Sequence, residues 1–314
     1  MAIGDLITAQ DFNEIQEKTE NILGVGSQNF GYGQTVNSYQ VSDGDKVKAD
    51  DWINLQRDLV NINVHQSGTV PSLPAISSGG KIKFDATNEP YTRYLSFVNT
   101  LQANRFNVSS FATTNHGGPA DFTSPWKNSL SCFVTIEFDA AEQARNFFNA
   151  GGKIRFFSSR SGGTTTGGAS TIRAQNENWT SLLDGASPAE FGGGTSLTLN
   201  GSNYFGCTNS YTSPFFSETG TSVYSANDWT IYARTPDVAD NNNGTATKIE
   251  FRVEWNDDHT PKGVSTLDGV DGTLTLSVDT VDPVSFALVP AGIGNFTITP
   301  PNTALTVFTA ITGT

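Results

Sequence analysis

The segment Gly4-Asp5-Leu6-Ile7-Thr8-Ala9-Gln10-Asp11-Phe12 recurs 40 positions later as Gly44-Asp45-Lys46-Val47-Lys48-Ala49-Asp50-Asp51-Trp52. The echo continues through Ile15 with Leu55, Gln16 with Gln56, Asn21 with Asn61 and Ile22 with Ile62. A repeat of this kind predicts two copies of one supersecondary unit. In the first copy Thr8 can cap a helix with Asp11 three residues on, and Phe12, Ile15, Thr19 and Ile22 recur at spacings of three and four as one apolar stripe. Trp52, Leu55, Leu59 and Ile62 repeat it. Helices of about 15 residues are marginal in water, so both stripes need a cover. Two covers are open: a helical hairpin packed on its own domain, or an assembly seam shared with another subunit or a neighbouring protein. For the seam, the expected interface is Phe12, Ile15, Ile22, Trp52, Leu55, Leu59 and Ile62, with Phe30, Tyr32 and Tyr39 of the intervening Gly-rich loop beside it.

Beyond the repeat, a Pro and Ser stretch at 69–80 breaks periodicity and predicts a linker, with a domain boundary near residue 75. The expected organisation is a helical repeat attachment module (1–74), an α+β body that is β-rich in its second half (75–282), and a small C-terminal β-unit or arm (283–314). In the body, 81–84 reads as a short strand, and Pro90 opens a helix with Tyr91, Tyr94, Leu95, Val98 and Leu101 on one face. A loop at 113–119 precedes a strand at 131–138, a helix over 140–149 that ends in Gly151-Gly152, and a strand at 153–157. A short helix around Trp179 stops at Gly185. Strands are then predicted at 196–199, 222–233, 245–255, 272–281, 295–299 and 304–311, with Ile249, Phe251, Val253 and Trp255 alternating onto one buried face.

Eighteen Lys and Arg against thirty-one Asp and Glu give a formal charge of -13, which repels a phosphate backbone or an anionic bilayer and argues against nucleic acid as partner. No apolar run of about 18 residues predicts membrane insertion, and the start MAIGDLITAQ has no signal-peptide pattern, so cytoplasmic synthesis without export is expected. Cys132 and Cys207 are too few for a disulfide framework and read as free thiols. His65, His116 and His259 lack ligand spacing for a metal. The stretch Asp240-Asn-Asn-Asn-Gly244 partly copies a calcium loop, yet Phe251 stands where the bidentate carboxylate belongs, and a hairpin turn uses the same residues.

Glycosidase-like pairs could be drawn from Glu137, Glu250, Glu254, Asp257, Asp258, Asp268 or Asp271, but thirty-one acids make some pair inevitable. The run Ser159-Arg160-Ser161-Gly162-Gly163 lacks the spacing of a nucleophile elbow, and Gly162-Gly-Thr-Thr-Thr-Gly167 lacks the Lys of a phosphate loop. No catalytic, cofactor-binding or metal-binding residue is therefore expected, and the chain reads as a non-enzyme.

The N-terminal repeat, together with Phe147-Phe-Asn-Ala-Gly-Gly-Lys-Ile-Arg-Phe156, Asn176-Glu-Asn-Trp179, Asn227-Asp-Trp-Thr-Ile231 and Thr245-Ala-Thr-Lys-Ile-Glu-Phe251, resembles virion structural proteins of tailed bacteriophages, in particular marine myoviruses that infect cyanobacteria. The likeness spans most of residues 4–275 and carries no functional residue. It implies a non-enzymatic particle component assembled in the host cytoplasm, tail-associated (tail, neck, baseplate or fibre), partnered by other virion proteins and by copies of itself as a homo-oligomer. The alternative is a carbohydrate-binding adhesin or depolymerase at a tail tip, directed at host surface polysaccharide through Trp126, Trp229, Trp255, Asp257 and Asp258.

Overall fold

The structure is a computed structural model that describes residues 7–74, 76, 90–108, 111–116, 120–165, 170–193, 203–239, 241–259, 269–283, 286–287, 295–296, 298–301, 307–308 and 311–313. In chain order the elements are α1 (Ala9–Leu23), α2 (Ala49–Ser67), α3 (Pro90–Ala103), β1 (Phe111–Asn115), β2 (Ala120–Phe122) and β3 (Ser129–Glu137). Next come α4 (Ala141–Asn149), β4 (Lys153–Ser161), α5 (Ser170–Ala186), β5 (Ala189–Gly192), β6 (Pro214–Thr219), β7 (Asp228–Arg234) and β8 (Lys248–Asn256). Then follow β9 (Thr273–Pro283), β10 (Phe286–Ala287), β11 (Asn295–Phe296), β12 (Val307–Phe308) and β13 (Thr312–Gly313). The fold is α+β.

The chain divides into two compact units. One comprises Met1–Ala112, Arg145–Gly152 and Asp282–Thr299; the other Thr113–Ala144, Lys153–Val281 and Pro300–Thr314. In the helical unit both copies of the repeat open alike: Thr8 N–H donates to Asp11 Oδ2 at 2.8 Å, and Lys48 N–H donates to Asp51 Oδ2 at 2.7 Å. Each carboxylate thereby satisfies an orphan donor at a helix start. The stripes then meet: the Phe12 and Trp52 rings lie edge to face at 5.2 Å, and Tyr94 of α3 stands 5.6 Å from Trp52. Tyr91, Tyr94, Val98 and Leu101 form the buried face that α3 brings against α1 and α2. The helix expected to open the body thus packs with the repeat, because a third stripe closes a core that two cannot.

This arrangement corrects the expected assembly seam. Phe12, Ile15, Ile22, Phe30, Tyr32, Trp52, Leu55, Leu59 and Ile62 are each no more than 5% exposed, covered by their own chain; Tyr39 alone of that set faces solvent, at 65%. The aromatic loop is held from within as well. Tyr32 donates its hydroxyl proton to the Arg105 carbonyl and accepts from Gln66 Nε2 at 2.8 Å. Asp58 accepts from the backbone and side chains of Asn37 and Ser38, at 2.7–3.1 Å.

The other unit carries two sheets. One runs β1-β9-β4-β5 with β2 also on β9, and the other runs β12-β3-β8-β7-β6 with β13 also on β3. Strand β8 alternates as its sequence predicts, with Ile249, Phe251, Val253 and Trp255 fully buried. Phe251 meets Phe156 of β4 at 4.8 Å and Phe191 of β5 at 5.1 Å, so one aromatic cluster joins the inner faces of both sheets. Residues 113–115, read as loop, lie in β1, and Ser222–Tyr224, read as strand, form a 3-10 turn before β7 begins at Asp228. The helix around Trp179 is longer than expected, since α5 has 17 residues. The strands expected at 81–84 and 196–199 lie outside the described residues. The C-terminal stretch does not stand as one unit: β10 pairs with β11 in the helical unit, while β12 and β13 lie antiparallel on β3 of their own chain, Val307 opposite Thr135 and Thr312 opposite Ser131. Cys132 and Cys207 are buried and neither is in a disulfide. Among the described residues no helix is long and apolar enough to cross a membrane.

Candidate functional site

The aromatic platform suggested for sugar stacking is not at the surface. Trp229 and Trp255 are fully buried and Trp126 is 8% exposed, while Asp257 is buried beside Trp179, whose Nε1 donates to it at 3.4 Å; only Asp258 of that set is exposed. Trp255 donates from Nε1 to Ser158 Oγ at 2.9 Å, a core contact. Strand alternation turns Trp229 of β7 and Trp255 of β8 inward, so their rings fill the core.

The calcium-like loop is a braced turn. Asn242 Oδ1 accepts from the backbone N–H groups of Gly244, Thr245 and Ala246 at 2.9–3.0 Å, and its Nδ2 donates to the Tyr204 carbonyl at 2.7 Å. Asp240 lies outside the described residues. With its oxygen already saturated by three donors, Asn242 serves the backbone and has little left for a cation. Asn242→Ala is expected to cost about 1–3 kcal/mol in denaturant unfolding, since it strands several buried groups at once. Millimolar calcium is expected to leave the melting temperature of the native chain unchanged. Among the described residues no group of three His, Cys, Asp or Glu side chains could hold a metal.

Two surfaces of the sheet-bearing unit remain. The first is a groove of about 780 Å³ beside α5, within the ~300–1,000 Å³ range of small-ligand sites. Its floor is built around Arg160, which is 7% exposed at the end of β4. Arg160 donates to the carbonyls of Gly162 and Asp271 and, from Nη1, to Thr180 Oγ1 at 3.2 Å. Its Nε is buried without a partner. Burial pulls its guanidinium pKa down, opposed by the nearby Asp271 charge. Asp271 accepts from Thr164 N–H at 2.9 Å, Thr164 Oγ1 at 2.6 Å and Asn176 Nδ2. Partial burial pushes the Asp271 carboxyl up, but those bonds and the Arg160 charge hold it below its usual range. Gly163, at φ +74°, is where this network needs glycine: a Cβ there would stand 2.4 Å from Asp271 Oδ1 and 2.6 Å from Arg160 Nη2.

The second surface is the outward face of β3, β8 and β7. Register aligns Phe133, Arg252 and Tyr232 in one row across the three strands. The Arg252 guanidinium lies 4.3 Å from the Tyr232 ring and 5.0 Å from Tyr211, with Arg234 on Tyr211 at 4.7 Å. Glu250 accepts from Arg234 Nε at 2.7 Å, Lys248 bridges Glu137 and Glu250 at 3.1 and 3.6 Å, and Phe133 is 42% exposed. Among the carboxylates considered as pairs, Glu137, Glu250 and Glu254 are thus tied into cross-strand or neighbouring ion pairs, Glu254 to Arg252 at 3.0 Å. Asp268 lies outside the described residues.

The sequence at 159–167 fits neither a nucleophile elbow nor a phosphate loop, and nothing in the sequence marks Tyr211 or Arg234. The long-range pairing of Arg160 with Asp271, and the strand register, place those residues, and no local spacing signals either. No family model, no curated protein and no solved structure matches this chain.

Proposed function

We propose that this chain is a non-enzymatic structural component of a tailed-phage particle, tail-associated and assembled in the host cytoplasm with other virion proteins and with copies of itself. The likeness in phrase order described above supports this reading. The observation that carries it furthest is the outward β3-β8-β7 face, where Phe133 stays partly exposed amid a rigid lattice of paired charges. Such a face offers an apolar anchor with a preorganised polar surround, the composition of a protein interface rather than of a substrate cleft. Phe133→Asp combined with Arg252→Glu is expected to leave a soluble, folded chain and to reduce its incorporation into purified particles by roughly tenfold or more, about 1.4 kcal/mol of interface energy. Quantitative mass spectrometry of particles from wild-type and mutant phage measures it. Absence of the chain from wild-type particles, or undiminished incorporation of the double variant, would overturn the assignment.

A further inference from the structure

We propose that the groove along α5 is a binding site for an acidic oligosaccharide. This site is independent of the assembly reading, since it lies on surface that reading does not use. Two cavities flank α5: the 780 Å³ groove on the Arg160 side and a smaller one of about 220 Å³ toward Glu218–Thr221. Both are lined by Ser181 and Gly185, so together they form one trough that crosses the helix over its smallest residues.

Gly185 is the informative residue. It is the next-to-last residue of α5 and lies exposed where the helix ends. Here no close packing and no left-handed backbone calls for it: a Cβ at Gly185 would meet nothing within 4 Å. Its bareness instead keeps the saddle of the trough open. At the far end Asn178 Oδ1 is buried without a partner. At the near end Arg173 and Arg160 face a lining of hydroxyls and amide from Thr164, Thr165, Thr180 and Asn176. Glu177 and Asp184 complete the wall, and Arg173 reaches Glu177 only at 3.6 Å, both side chains at least half exposed.

This chemistry selects the ligand class. Among the described residues that line the trough none is aromatic, which disfavours a nucleobase or a lipid tail. Hydroxyls, amides and carboxylates in alternation match a polyol, the carboxylates accepting from vicinal hydroxyls. A guanidinium held loosely at the mouth suits a ligand carboxylate through a forked pair, which Glu177 satisfies poorly. A ligand long enough to span both cavities has more than one sugar ring.

Titration calorimetry on the full chain, with trigalacturonate, its methyl ester and maltotriose as probes, tests the assignment. Trigalacturonate is expected to bind, with the ester and maltotriose weaker by roughly tenfold or more. Gly185→Trp fills the saddle from an exposed helix position and is expected to weaken trigalacturonate by a similar factor, with circular dichroism unchanged. Arg173→Gln, on exposed surface, serves as the second variant and is expected to abolish the preference for acid over ester. The proposal falls if none of the probes binds up to about 10 mM, if the ester or maltotriose binds as well as the acid, or if both folded variants bind trigalacturonate as the native chain does.

Discussion

Trp52→Asp is expected to unfold the helical unit. Trp52 is 1% exposed, wedged between Phe12 and Tyr94, so the substitution removes the largest side chain of that core and leaves an unpaired carboxylate in its place. Truncation of a buried Trp alone costs about 3–5 kcal/mol, and an isolated buried charge adds to that. The sum reaches the ~5–15 kcal/mol total stability of a typical domain. Far-UV circular dichroism should show a large loss of helical signal at 25 °C, with the near-UV signal of the sheet-bearing unit's tryptophans as the internal comparison. Had the stripe been a seam between subunits, the same variant would keep its helices and change only its mass in solution. A folded, dissociated Trp52→Asp chain would restore that reading.

The second large effect is an acid transition centred on His65. Burial lowers the His65 imidazole to about 4, against the opposing pull of the bond it donates from Nε2 to the Ala150 carbonyl at 3.0 Å. An unfolded histidine titrates near 6.5, so between those values the unfolded chain binds the extra proton. Stability from this group is therefore complete above about pH 6.5 and drains as pH falls toward 4, by roughly 2–3 kcal/mol. Asp58 acts with the opposite sign: burial raises its carboxyl, against the bonds from Asn37 and Ser38, so its burial cost is relieved as the pH falls through that raised value. Urea unfolding at pH 7 and pH 4 separates the two. The native chain should lose stability over that interval, and His65→Gln, which can still donate to Ala150 but does not titrate, should lose about 2–3 kcal/mol less. Equal losses in both chains would assign the transition elsewhere.

What could be read from sequence was local. The Thr8/Asp11 start, the stripe of α3 after Pro90 and the alternation of β8 are each set by neighbours within about one turn or two residues, and each is seen. Residues 113–115, by contrast, run into the turn-forming His116-Gly-Gly-Pro119 and read as loop, yet they lie in β1 through its place beside β9. The apolar stripes of α1 and α2 are visible as stripes, but nothing within them says whether a third helix of the same chain or another molecule covers them. Arg160, Thr164 and Asn176 are close in sequence, yet Asp271, which draws them together, lies about a hundred residues on, beyond the reach of spacing arguments.

The return of β12 and β13 to β3 has a consequence for the timing of synthesis. β3 leaves the ribosome about 170 residues before β12, roughly 10–30 s at 5–20 residues per second. During that interval one edge of the growing sheet lacks its native partner, with the backbone donors and acceptors of Val134 and Thr135 uncovered. The helical unit is likewise incomplete until Asp282–Thr299 has been made. A nascent chain of this protein therefore carries an open strand edge until Val307–Phe308 and Thr312–Gly313 have been made.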